Sequence, residues 1–401
     1  MVDRLKGPVV LAAGCVAIFW PGALIFGFPG VMSQHWQHAF QVGRAEVGQI
    51  LFYVLAAVGI FMFLVGRWQE RIGPSSLTVI GTVLCGTGII MVGHASGIKI
   101  VYVWAFITGV SSAFVYLPVL SAGQRWYPHR RGLISGVVNM FFGLSAAIMV
   151  PTFSRLLNHE GHTSMTLTLG ELVLIIGLPA AVFVRFPERL APSETVRAPQ
   201  SSYAQASLSV KQSLRTRSYW FLWFTWAFAG AAGISMVTLS PAFGISKNLP
   251  IGQAVLMLTA FNITNGLSRL VSGYLSDIIG RNKTMSLAFL LAGGAYVLLP
   301  HLEGIVRWAT LTAIIGFAFG TLFAVSAPLV ADCFGMDHFG TIFGLVFTAY
   351  GFVSGIIGPW LCGHLLDITR GNFTLVFSYL GSLMLISAIL VKMITPRSEC
   401  S

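Results

Sequence analysis

Asn262, Asn265, Arg269, Ser272 and Ser276 recur every three or four residues within an otherwise apolar run, so on a helix they share one face. A helix that lines a wet cavity carries such a stripe, with Asn265 and Arg269 as its candidate substrate contacts. Arg269 stands eight residues before Asp277, which at about 1.5 Å per residue is roughly 12 Å along the helix from its polar end. That depth is well inside a hydrocarbon layer about 30 Å thick. A cation there costs about 2.5 to 3.5 kcal/mol on insertion scales and needs a partner or water. No Asp or Glu stands four residues before or after it, and the only other acidic residue deep in an apolar run is Glu171. A guanidinium fork without a fixed counterion suits the carboxylate of a soluble anion. The competing reading is a permanent ion pair with another helix.

The elements that must hold this arginine are themselves apolar. Of 401 residues, 55% are hydrophobic and 9% charged, with a mean hydropathy of +0.80, whereas soluble domains are about a quarter charged. A water-soluble globule is excluded. Windows of about 19 residues predict helical spans near 8–30, 46–66, 77–95, 100–123, 132–153 and 166–186, then 219–243, 252–277, 284–301, 306–330, 340–364 and 373–394. The class is therefore an all-α integral membrane protein of twelve transmembrane helices. The long polar stretch 187–218, with Pro187, Pro192 and Pro199, reads as a linker between six-helix bundles at 1–186 and 219–401. The apolar run after Met1 to Lys6 is too long for a cleaved leader and is expected to be the first span.

The net charge of +11 has a topological explanation. Seventeen Lys and Arg residues fall in segments on the side of the termini and the linker, six fall on the opposite side, and Arg269 is left over. That asymmetry predicts cytoplasmic termini in a cell membrane, such as a bacterial inner membrane, and needs no nucleic-acid partner. The five cysteines stand singly, without a CxxC, and read as small hydrophobes. His35 and His38 lack further ligands, and HExxH, G-x-S-x-G and Walker motifs are missing, so neither an enzyme nor a metal or other cofactor is expected.

The chain also repeats itself. Gly132, Gly136, Gly143 and Pro151 recur 208 residues later as Gly340, Gly344, Gly351 and Pro359; Gly66, Glu70 and Gly73 recur 207 residues later as Gly273, Asp277 and Gly280. Close helix packing in lipid is one use of such small residues. Duplicated halves with a site between them are also the architecture of alternating access.

The run from Gly273 through Asp277, Gly280, Arg281 and Lys283 resembles the cytoplasmic loop signature G-x-x-x-D-x-x-G-R-x-[KR] of the major facilitator superfamily. Its first copy, Gly66, Glu70, Arg71 and Gly73, is degraded, with Pro74 at a usually basic position. Arg125-Trp126-Tyr127-Pro128-His129-Arg130-Arg131-Gly132 is similar to the R-W-F-P-x-[KR]-R-G of bacterial oxalate/formate antiporters and monocarboxylate transporter relatives, as is the helix carrying Arg269. The fifth-helix motif of drug-proton antiporters is missing. The resemblance implies a transporter of small carboxylates, as a monomer in the lipid bilayer. Oxalate carriers of the family place a second cation where Tyr350 stands here, so a monocarboxylate such as lactate, pyruvate or acetate balances the single charge. Animal relatives carry an acid four residues before the arginine, where this chain has Asn265; a proton would travel with the substrate or through a group such as Glu171 or His94.

The remaining pocket candidates implied by the resemblance are Tyr116 on the fourth helix, Phe323 on the tenth, and Phe347 and Tyr350 on the eleventh. Trp220, Trp223 and Trp226 read as an interfacial belt, and Gly27, Pro29 and Gly30 as a break in the first helix. Asp277 ends a helix whose dipole disfavours an anion. Arg281 and the start of the eleventh helix are its expected compensation, and Glu70 with Arg71 should act similarly with the fifth. These contacts would latch the outward-open state, unless they are only solvated ion pairs. Proton symport is expected over oxalate/formate-type exchange, with a non-transporting receptor as a further alternative.

Overall fold

The computed structural model describes residues 2–127, 131–187, 207–335 and 339–395, and every statement below concerns those residues. The first pass is α1 (Val2–Phe26) and α2 (Phe28–Phe40), broken at Gly27 and Pro29. The Phe26 carbonyl at this break accepts a hydrogen bond from Asn262 Nδ2 at 3.2 Å. The chain returns through α3 (Arg44–Ile72), turns on Gly73 at φ 89°, and continues as α4 (Pro74–Val92) and α5 (Ile98–Trp126). Next, α6 (Arg131–Leu172) has 42 residues and reverses at Gly161, where φ is 79°; a π-helical turn (Val173–Gly177) and α7 (Leu178–Phe183) complete the sixth pass.

The second half repeats the plan. A short α8 (Val210–Leu214) precedes α9 (Arg217–Ser246), α10 (Ile251–Ile279), α11 (Arg281–Leu298) and α12 (Ile305–Phe334). The eleventh pass is α13 (Phe339–Thr348), two π-helical turns over Ala349–Ser354 and Ile356–Trp360, and α14 (Leu361–Ile368); α15 (Phe373–Lys392) is the last. Pro359 has no N–H to give the helix ladder, a sufficient cause for the irregular turns around it. Eleven stretches are long and apolar enough to cross a membrane, and one of them, 136–183, is 48 residues long and doubles back at Gly161, which makes twelve passes. Ile148, Ile175, Val271 and Ile389 are more than half exposed, as lipid-facing side chains must be.

Several helices run past their predicted ends, the first to Phe40 and the fifth to Gly161. Residues 188–206 of the expected linker lie outside the described residues. Its end is folded: Leu208 N–H donates to the Phe334 carbonyl at 2.9 Å, Ser209 and Gln212 form a capping box, and α9 already begins at Arg217.

The two six-helix bundles meet along two seams related by the repeat. In one, α6 lies against α10, and a Cβ on Gly143 would stand 3.0 Å from the Cα of Gly266. In the other, α3 lies against the eleventh pass, and a Cβ on Gly351 would stand 2.9 Å from the Cα of Gly59. Gly143 and Gly351 are 208 residues apart, and Gly59 and Gly266 are 207 apart, so the duplication reproduced the contact itself. Gly266→Val should therefore open the first seam, because even a Cβ there falls 2.3 Å from Leu144 Cγ and 2.9 Å from its backbone nitrogen. We expect a cost of about 1 to 3 kcal/mol, read as a lower melting temperature in detergent. An unchanged melting temperature would contradict this packing.

Candidate functional site

Arg269 sits in the middle of α10, 2% exposed, at the first seam. Its neighbours are all neutral. Arg269 Nε donates to the Asn265 carbonyl at 3.3 Å and Nη2 to Asn265 Oδ1 at 3.2 Å, both within one helical turn. Nη1 donates to Asn139 Oδ1 on α6 at 3.0 Å, and the same oxygen accepts the Tyr116 hydroxyl of α5 at 2.8 Å. The Phe323 ring of α12 covers the guanidinium, with Cζ 4.5 Å from its centroid, a cation–π contact. Among the described residues no carboxylate is within ion-pair distance of Arg269. The glycine seam makes this possible: a Cβ on Gly143, one turn beyond Asn139, would approach Arg269 Nε to 3.1 Å.

Next to this cluster lies a cavity lined by residues of both halves, among them Met62, Tyr116, Phe142, Phe323, Phe347 and Tyr350. Its non-atom volume is about 400 Å³, including the space at its mouth. Of the six residues expected to contact substrate, Tyr116, Phe323, Phe347 and Tyr350 line it directly. Arg269 and Asn265 are fully packed one layer behind, screened by Tyr116 and Phe323. The Tyr350 hydroxyl and Asn265 Nδ2 are buried without a hydrogen-bond partner, a costly state unless a ligand or water supplies the acceptor. Shifting by the repeat offsets maps Arg269 onto Met62 and Asn139 onto Phe347. One half therefore supplies charge where the other supplies hydrocarbon, and the two kinds of surface face each other at the centre.

Three features of the site differ from expectation. Trp226 is no belt residue: it is fully buried, with its ring 4.4 Å from Phe347 and 5.0 Å from Phe323, and so backs the aromatic wall. Trp220, 46% exposed, has a surface position together with Phe224 one turn on, whereas Trp226 is on the buried face of α9. Asn139 went unnoticed because a lone Asn in an apolar run has no periodic partners; only its contact across the seam gives it significance. Glu171 and His94, considered as proton carriers, are exposed and do not line the cavity.

At the helix ends Asp277 pairs with Arg281 as expected, but the helices beside them differ from expectation. Among the described residues the eighth pass runs beside the fifth, and the second beside the eleventh, the reverse of the helix adjacency expected for Asp277 and Glu70. The crossed seams impose this. Asp277, 63% exposed, pairs with Arg281, which also donates to Ser276 Oγ at 2.6 Å and to Asp332 Oδ2 on α12 at 3.4 Å. Arg71 is exposed; the Glu70 side chain and residues 128–130 and 336–338, just before the fifth and eleventh passes, lie outside the described residues. On the side away from the termini the halves are in contact. Asp367, in the last turn of α14, accepts the N–H groups of Arg44 at 3.1 Å and Ala45 at 2.9 Å, the first two residues of α3. Nearby backbones touch as well: a Cβ on Gly48 would fall 2.2 Å from the Pro359 carbonyl, and one on Gly30 would fall 2.1 Å from that of Val237.

A twelve-helix bundle pair with a central polar cluster defines a class, and sequence comparison agrees with it. The sequence profile of the Major Facilitator Superfamily matches residues 11–359 and 233–399, and the chain belongs to that family. It is 26% identical over 71% of its length to an oxalate:formate antiporter of Oxalobacter formigenes, of which 67% is covered. It is 25% identical over 94% of its length to monocarboxylate transporter 13 of Bos taurus, of which 86% is covered. Human monocarboxylate transporter 11 is 27% identical over 79% of this chain and 68% of its own. The solved nucleoside transporter NupG superposes with a TM-score of 0.74 over 97% of this chain and 99% of its own, at 12% identity, a likeness of fold alone.

Proposed function

We propose that this transporter is a secondary carrier of small monocarboxylates of the lactate, pyruvate or acetate type, moved by alternating access with Arg269 as the anchor and in symport with a proton. The observation that carries this reading is the buried Arg269 held only by neutral partners. Its charge is unspent, and one carboxylate would neutralise it in a site of low dielectric. A dianion would leave one negative charge over, because Tyr350 is neutral. The apolar surface of Met62, Phe323 and Phe347 suits a short alkyl group. The names of the antiporter and monocarboxylate transporter relatives support the same substrate class.

The basic excess on the terminal side supports termini in the cytoplasm, and localisation in the cytoplasmic membrane follows. With the far side, where the halves touch, taken as the external one, we read the structure as an inward-facing state. Asp277, Arg281, Glu70 and Arg71 are proposed to brace the opposite, outward-open state, when the cytoplasmic helix ends come together.

Exchange without proton coupling is the second reading, favoured by the neutral Asn265 beside Arg269 and by the exposed positions of Glu171 and His94. Uptake of labelled monocarboxylates and dicarboxylates into proteoliposomes, with and without an inward-directed proton gradient, separates the two. We expect monocarboxylate uptake at least about tenfold above oxalate, a difference of about 1.4 kcal/mol, and acceleration by the gradient. Counterflow insensitive to pH would establish exchange, and binding without flux would establish a receptor.

A further inference from the structure

We propose that Asn139 is a neutral placeholder for the substrate's carboxylate. Its Oδ1 accepts two hydrogen bonds, one from Arg269 Nη1 at 3.0 Å and one from the Tyr116 hydroxyl at 2.8 Å. A carboxylate oxygen with two lone pairs would take the same two donors. The three side chains come from α10, α6 and α5, so this oxygen joins the two halves at the seam. Tyr116 reaches the cavity wall, whereas Arg269 lies behind it. An entering carboxylate therefore meets Tyr116 first, and it reaches the guanidinium by taking over the acceptor role of Asn139.

The amide is suited to this role because it satisfies both donors without cancelling the charge. A leucine would leave the cation short of a partner, and an aspartate would be a resident substrate. The repeat supports a specific role for the position: the counterpart of Asn139 is Phe347, on the apolar wall. Displacing a neutral acceptor exchanges a cation–amide hydrogen bond for one in which both partners are charged, a favourable exchange for an anion and not for a neutral ligand. Asn139 thus acts as a positioning residue that favours anions, a role that rests on the monocarboxylate reading above.

The test uses the full chain in proteoliposomes for uptake and in detergent for melting, with L-lactate, pyruvate and acetate as probes. Asn139→Asp should lose uptake by about a hundredfold or more, since a second carboxylate in the desolvated site repels the first. It should melt no lower than the parent protein, and its melting temperature should no longer rise with any probe. Asn139→Leu, similar in size, should lose uptake by less than about tenfold and still melt higher with the preferred probe. Parental uptake by Asn139→Asp would overturn the placeholder, as would equal loss of the ligand-induced shift in both variants, which would make the amide merely structural. A parent protein that neither transports nor responds to any of the three probes would overturn the monocarboxylate reading, and the placeholder with it.

Discussion

Arg269→Ala should abolish monocarboxylate uptake, by about a hundredfold or more, while the protein remains folded. The magnitude follows from removing the charged half of a desolvated, hydrogen-bonded ion pair, which costs about 2 to 5 kcal/mol. The stability side is equally specific. Arg269 has no carboxylate partner among the described residues, and Asn139 Oδ1 keeps its bond from Tyr116 when the guanidinium is gone. Removing an unpaired cation from the membrane interior relieves its insertion cost, so the variant should melt at or above the parent temperature. Arg269→Lys should recover only part of the uptake, because an ammonium cannot span Asn139 on one side and both oxygens of Asn265 on the other as the planar fork does. Retained uptake in Arg269→Ala would remove the central claim, and an unfolded variant would show that the arginine is structural.

Asp367→Ala should shift the conformational equilibrium towards the state open on the side away from the termini. The carboxylate caps the first two N–H groups of α3 from the other half, so each contact is lost whenever that side opens. A helix N-terminus attracts an anion through both its orphan N–H groups and its dipole, and losing such a cap costs about 0.5 to 2 kcal/mol. That is a shift in population of roughly twofold to thirtyfold. Distances between spin labels on the outer ends of α3 and α14 would report it. Asp277→Asn should move the same distances the opposite way, since Asp277 is proposed to brace the outward-open state. If both substitutions moved them in one direction, or neither moved them, the assignment of the two carboxylates to opposite gates would be wrong.

The parts that were legible in the sequence share a physical basis. Twelve passes could be counted because lipid forces every crossing to be a long apolar helix. Arg269 stood out for the same reason, as a charge at a depth where charges are excluded, and its polar stripe is visible because helical periodicity is local. The family motif and the paired glycines made the duplication visible without any coordinates. Trp226 could not be placed in this way: three tryptophans at the start of a span look like a belt until packing decides which face of α9 is buried. Which helices lie beside the eighth and second passes depended likewise on how the helices cross.

What the sequence determined by itself was the class of protein, the number of passes and the one residue around which its function is proposed. All three follow from hydropathy and spacing, which are properties of a segment taken alone. Only the tertiary structure decided that Arg269 is held by Asn139 and Asn265, that Phe323 covers it, and that Asp367 joins the halves on the far side. These contacts join residues up to 323 positions apart. They exist because paired glycines allow two bundles to approach closely along crossed seams, and a distance across such a seam is set by packing, on which no single segment carries information.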